Sequence, residues 1–270
     1  MFLLCSVYSS PVASFDTLLL DDLRTRIARL ARPPVRARLP VLRFGLPALD
    51  RHLPEGGLLT GALHEVAGTG PDTEHAAAAA LFAAGALARL RGPVLWVLPR
   101  DDLFAPALAN AGLPPDRLIL AEAGRQVLPV MEEGLRHRGL AGVVGELTGK
   151  LDLTASRRLQ LGAEACGVTA FVLRRPRRSD DPALVAPNAA VTRWRIAALP
   201  SAPPLPHAPD VRGLARARWR LELWRCRGGE AASWIVEACD ATGHLGLVAD
   251  FPDRSAAPGF ARAPLRRAAG

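Results

Sequence analysis

From residue 41 onward, short apolar runs alternate with longer segments of mixed polarity. Uninterrupted apolar runs occupy 93–98, 118–121, 140–144 and 168–173, and helical periodicity is readable at 103–112, 125–138 and 152–166. A further strand over 62–67 leads through a glycine turn into an alanine-rich helix over 76–90. Apolar strands that do not alternate, separated by helices, predict a parallel sheet covered on both faces. The pattern then changes: 191–199, 216–226 and 233–239 read as strands without intervening helices, and Gly228-Gly229 joins the last two as a hairpin. A proline-rich connector, 200–209, precedes that hairpin.

Upstream, residues 17–30 place Leu18, Leu19, Leu23, Ile27 and Leu30 at helical spacing, with Asp21 and Asp22 early and Arg24, Arg26 and Arg29 late. That is an amphipathic helix with charges matched to the helix dipole. It fits an arm that docks on a partner and a helix packed on its own domain equally well. The predicted organisation is a tail and amphipathic helix over 1–40, an α/β domain over 41–240, and a disordered basic tail over 241–270.

Composition narrows the class. Half of the 270 residues are apolar, enough for a large core, and basic residues exceed acidic ones by eight. Lys150 is the one lysine, so the charge is almost wholly arginine. A positive field favours polyanions or acidic partners, while Arg, Ala and Pro bias is also what a GC-rich genome writes. Cys5, Cys166, Cys226 and Cys239 have no metal-ligand spacing and suit a reducing cytoplasm. No run of about 18 apolar residues exists, and 1–15 lacks the basic start of a signal peptide, so a cytoplasmic protein without a membrane span is expected.

The most informative segment is Gly68-Thr69-Gly70-Pro71-Asp72-Thr73-Glu74-His75, between a strand and a helix. A working phosphate loop, G-x-x-x-x-G-K-[ST], cradles phosphates with backbone amides, neutralises them with its lysine and holds magnesium with its hydroxyl. Here Thr73 stands at the second glycine, Glu74 at the lysine and His75 at the hydroxyl. A carboxylate at ~4 Å from a phosphate charge costs about 4 kcal/mol near a protein surface before screening. The segment reads as a degenerate phosphate loop or as an ordinary turn; no cofactor is expected, and whether a nucleotide is retained as a structural ligand stays open.

The surrounding residues carry a resemblance. Phe44-Gly45-Leu46-Pro47-Ala48-Leu49-Asp50, then Glu55-Gly56-Gly57-Leu58-Leu59-Thr60-Gly61, then the strand and loop, resemble the entry to a RecA-type ATPase core. More narrowly, the run from Lys150 to Leu161, Gly167-Val168-Thr169-Ala170, and the run from Arg218 to Gly229 look like the ImuA family. The resemblance covers about 41–240 and implies a RecA-like core, with a mostly parallel sheet flanked by helices and a C-terminal antiparallel hairpin. It also implies an accessory protein of the SOS response and of SOS mutagenesis. Such a protein acts in error-prone translesion synthesis with ImuB, a Y-family polymerase relative, and an error-prone polymerase subunit. Whether it also binds RecA stays open.

The remaining ATPase stations also depart from the RecA pattern. Gly145 stands where a magnesium-orienting aspartate is expected, and Glu146 follows one place later as a helix-cap or ion-pair residue. Arg100 stands near the general-base position, with Asp101 and Asp102 behind it. Hydrolysis needs positive clamps, a metal and a base together, so the expectation is a scaffold that is not an enzyme. A SulA-like inhibitor binding the division GTPase is the alternative, and an ATP-using enzyme built on Asp101 and Glu146 is a third reading.

In RecA-type folds the loops after the strands containing Val143 and Phe171 face DNA. Candidate contacts there are Lys150, Arg157 and Arg158, and Arg174, Arg175, Arg177 and Arg178. Guanidinium groups suit phosphates, but a solvated basic loop explains them too, and any DNA contact is expected to be indirect. The strand 216–225 alternates, with Arg218, Arg220 and Trp224 on one face. Arg and Trp together suit a partner interface. No metal constellation is present; His64, His75 and His137 are scattered and read as surface or cap residues.

Overall fold

The computed structural model describes residues 40–248 other than 177, 179, 180, 206, 207 and 209. The helix expected over 17–30 and, of the disordered tail expected over 241–270, the residues from 249 on lie outside the described residues, whereas 241–248 form a turn and a short strand (Gly246–Leu247) with Leu245 buried.

Two short strands, β1 (Val41–Leu42) and β2 (Leu58–Leu59), pair antiparallel at the entry to the domain. Between them helix α1 (Pro47–Asp50) explains the entry signature. The Asp50 carboxylate accepts hydrogen bonds from the amides of Phe44 at 2.8 Å and Gly45 at 3.0 Å, and Gly45 turns with φ 79°. A left-handed turn of that kind suits glycine.

The main body follows as β3 (Leu63–Gly68), α2 (Asp72–Ala88), β4 (Val94–Leu98), α3 (Ala105–Ala109) and β5 (Leu118–Glu122). It continues as α4 (Val127–Gly134), β6 (Gly142–Leu147), α5 (Leu153–Cys166) and β7 (Thr169–Arg174). The chain then runs through β8 (Thr192–Leu199), β9 (Arg218–Cys226), β10 (Ala232–Glu237) and β11 (Gly246–Leu247). The nine-stranded sheet has the order β11-β10-β9-β8-β3-β7-β6-β4-β5. The strands from β8 to β5 are parallel, and β9, β10 and β11 are antiparallel. The RecA-like α/β core with its C-terminal antiparallel strands is therefore present.

Three elements differ from the sequence reading. α3 and α4 are shorter than 103–112 and 125–138, because Gly112 turns at φ 89° and a 3-10 turn over Gly124–Gln126 precedes α4. β6 runs on to Leu147, so Glu146 is a strand residue and not a helix cap.

Strand parity divides the core. One face of the sheet buries Trp96, Val144, Phe171, Leu173, Trp194, Ile196, Trp219 and Leu221 with Phe44 and with Phe82 of α2. The other buries Leu63, Val97, Val143 and Val172 beneath Met131 of α4 and Leu159 of α5. α2 is apolar on most sides because the chain also crosses its outer surface: a Cβ on Gly85 would lie 2.3 Å from Cys239 Sγ. Burial pushes the Cys239 thiol up to about 12, so it is a packing residue and not a nucleophile.

His64 is fully buried, contrary to the surface or cap role expected of it. Its Nε2 lies 2.8 Å from the Leu59 carbonyl, which only accepts, so Nε2 carries the proton. Nδ1 then accepts from the Thr192 hydroxyl at 2.7 Å, and Thr192 in turn accepts from Trp194 Nε1 at 2.7 Å. Burial holds the His64 pKa down at about 4, against 6.5 in the open chain. Between these values the unfolded chain binds more protons, so stability is complete above 6.5 and falls as pH drops towards 4, by about 3 kcal/mol in all. Urea titrations between pH 7 and pH 4.5 should show this loss, and His64→Gln should lack its share of the slope.

Candidate functional site

The crevice where a RecA-type enzyme holds its nucleotide lies at the C-terminal ends of β3, β4, β6 and β7. In this chain two of its own side chains, His75 and Arg175, occupy part of that crevice. The turn after β3 folds around His75: a Cβ on Gly68 would lie 2.6 Å from His75 Cβ, and one on Gly70 would lie 3.0 Å from the ring. Both glycines are needed for contact with an imidazole. His75 Nδ1 accepts from the Ala198 amide at 3.2 Å, and the side chain is 15% exposed, so it is a packed residue and not a surface one. Four amides around the turn also have protein acceptors. Thr69 N donates to Ile196 O at 3.0 Å, Asp72 N to Pro176 O at 3.2 Å, and both Glu74 N and His75 N donate to Pro71 O. Thr73 and Glu74 point to solvent.

Beside this turn, three carboxylates converge on one guanidinium. Arg175 Nε lies 2.8 Å from Asp72 Oδ2, and Nη1 lies 2.8 Å from Asp102 Oδ1 and 2.9 Å from Glu146 Oε2. Trp96 Nε1 donates to the other Glu146 oxygen at 2.9 Å, and Arg100 pairs with Asp102 at 3.0 Å. Burial pushes the Glu146 carboxyl up, with Trp96 and Arg175 pulling against it. The Arg175 hydrogen bond holds Asp102 below its usual range. Burial works against the Arg175 cation, but its bonds to Asp102 and Asp72 outweigh it and raise its pKa. An internal cation thus sits among the carboxylates where a metal and phosphates would sit. Next to it is a recess of about 230 Å³, walled by Ala76, Ala80, Leu103, Phe104 and Leu173.

Parity also relocates the carboxylate station. A Cβ on Gly145 would lie 2.1 Å from Met131 Sδ, so position 145 faces α4. Glu146 faces α2 and the turn, and Asp101 is exposed and outside the network.

The basic candidates separate. Arg174 is 3% exposed and lies on the opposite face of the sheet, 3.5 Å from Glu65, which also binds Arg193 at 2.8 Å and Asn188. Burial pushes the Arg174 pKa down, Glu65 pulls it up, and Arg193 lowers it further. Arg174 and Arg175 are therefore structural ions and not loop contacts. Arg177 lies outside the described residues. Arg178, Lys150, Arg157 and Arg158 are exposed, and Arg158 pairs with Glu132 at 2.6 Å.

β9 alternates as read from the sequence. Trp219, Leu221 and Leu223 are buried, Arg220 and Trp224 are exposed, and Arg218 is half-buried. A bulge places Trp224 over β8, where the guanidinium carbons of Arg193 and Arg195 lie 4.6 and 4.1 Å from the ring centroid. Ile235, 51% exposed, stands across from Arg220 on β10. The alternation Arg193-Trp194-Arg195 was the signal that could have placed both arginines under Trp224. Nothing local announces Asp72, Asp102 and Glu146 as partners of Arg175.

No protein-family model matches the chain. The crystal structure of the RadB recombinase shares the fold, with a TM-score of 0.54 at 17% identity, covering 77% of this chain and all of that one. Two relatives, each named Protein ImuA, come from Caulobacter vibrioides strains NA1000 / CB15N and ATCC 19089 / CIP 103742 / CB 15. Each is 45% identical over 219 residues, 77% of this chain and 87% of the relative. With identity at that level over most of both sequences, on a RecA-like core, the chain belongs to the ImuA family.

Proposed function

We propose that the protein is a non-hydrolysing RecA-like scaffold of damage-induced, error-prone translesion synthesis, working with an ImuB-like Y-family polymerase relative and an error-prone polymerase subunit. The observation that carries the reading is Arg175. Hydrolysis requires a metal and a cationic clamp free to meet the phosphates, with a base for the water. Here the carboxylates that could orient metal or water, Asp102 and Glu146, are bound by an internal arginine, and His75 fills the turn. Family membership favours a polymerase partner over the division GTPase of a SulA-like inhibitor. The exposed Arg220, Trp224 and Ile235 surface is the partner face: aromatic, arginine and aliphatic groups side by side are where binding energy concentrates.

Three outcomes test this. The purified protein with magnesium and ATP should show no turnover above background; turnover that disappears in Glu146→Gln would overturn the scaffold reading. Arg175→Met leaves three carboxylates facing one another and should cost about 2 kcal/mol at neutral pH. Calorimetric melting should show that deficit shrinking as pH falls into the carboxylate range, because protonation removes the repulsion the arginine offsets. Tagged protein recovered from DNA-damaged cells should bring down the polymerase relative, and the double variant Trp224→Ala, Arg220→Glu should lose it while melting normally.

A further inference from the structure

The two edges of the sheet are finished differently. On one side β11 is a two-residue strand, a short edge of the kind that resists pairing. On the other, β5 is five residues long, Leu118-Ile119-Leu120-Ala121-Glu122, with no Pro, Lys or bulge to blunt it. Ile119 is 48% exposed and Leu120 43%, and they point to opposite faces, so neither face of this strand is covered. Half of its backbone donors and acceptors point away from β4. Ile119 also borders an apolar groove formed by Pro93, Leu95 and Leu140, with Arg136 and Arg138 at its rim.

We propose that β5 is a self-association edge, on which a second copy of this chain adds its own β5 antiparallel about a two-fold axis through Leu120. The sequence is self-complementary in that register. Leu120 meets Leu120 of the second copy, and Ile119 meets Ala121. Glu122 lies against Leu118, near the Arg136 and Arg138 rim. Just beyond the strand ends, Asp116 of each copy comes beside Arg125 of the other. Asp116, Glu122 and Arg125 are all exposed, with no ion-pair partner among the described residues. The two-fold therefore brings opposite charges together at both ends, while a parallel addition would set like charges side by side. The closed symmetry yields a dimer with one sheet running through both cores and no open-ended growth. Strand pairing over five residues buries less than a standard interface of about 1,600 Å², so the association is a weak and reversible one. This inference is independent of the scaffold reading and of the Trp224 face.

Sedimentation of the full chain across the micromolar range should show a reversible dimer of the 28.7 kDa protomer. Leu120→Lys sets two like charges on the axis and should weaken association at least about tenfold with unchanged melting, since the residue is exposed in the monomer. Leu120→Cys should form a disulfide dimer under mild oxidation that the parent protein does not, because Cα atoms facing each other across an antiparallel pair lie ~4.5–5.5 Å apart. A monomer at every concentration, a dimer indifferent to Leu120→Lys, or species that grow beyond two with concentration would each overturn the proposal.

Discussion

A single guanidinium holds the top of this fold together. Asp72 begins α2, Asp102 follows β4, Glu146 lies one residue before the end of β6 and Arg175 follows β7, so one side chain ties four separate chain segments at the carboxyl edge of the sheet. Three acids gathered around one point repel unless a cation stands between them. The arrangement of α2 against the strand ends depends on that cation. A nucleotide enzyme obtains the same neutralisation from metal and ligand; here the chain carries it in its own sequence.

The sheet divides its duties by face. Towards α2 it is a continuous aromatic and aliphatic layer, with Trp96, Trp194 and Trp219 buried. On the opposite face, helices α4 and α5 pack over Met131 and Leu159 contacts. Over β8 and β9 that face carries Trp224, stacked on Arg193 and Arg195, with Arg220 and Ile235 in the open. Glu65 is buried below, paired with Arg193, so one of the two arginines under the indole is fixed from beneath by an ion pair. That anchoring gives the indole a rigid seat, which favours recognition because little side-chain freedom is left to lose.

Much of the fold was legible in the sequence because it depends on local periodicity. Apolar runs gave the parallel strands, and the alternation from Arg218 to Trp224 gave the two faces of β9. What escaped was long-range. Arg174 and Arg175 look like one basic loop, but as neighbours at a strand end they point to opposite faces and join unrelated networks, with partners at 65 on one side and 72, 102 and 146 on the other. Glu146 was one residue from the expected station, and only parity against Met131 shows that 146 is the position facing the turn. His64 and His75 were misread as surface groups because burial of an imidazole is decided by partners more than a hundred residues away, Thr192 and Ala198.

The packing of His75 against Gly68, Gly70 and the Ala198 amide bears on how this lineage can change. Returning a hydroxyl to position 75 would empty the turn and strip an acceptor from β8; returning a lysine to position 74 would leave it facing solvent while Arg175 still held the acids. Neither substitution alone frees the acids from Arg175, and the one at position 75 also empties a packed turn. Positions 74, 75 and 175 are thus coupled, and a phosphate loop of the usual pattern would need the loop and the arginine changed together.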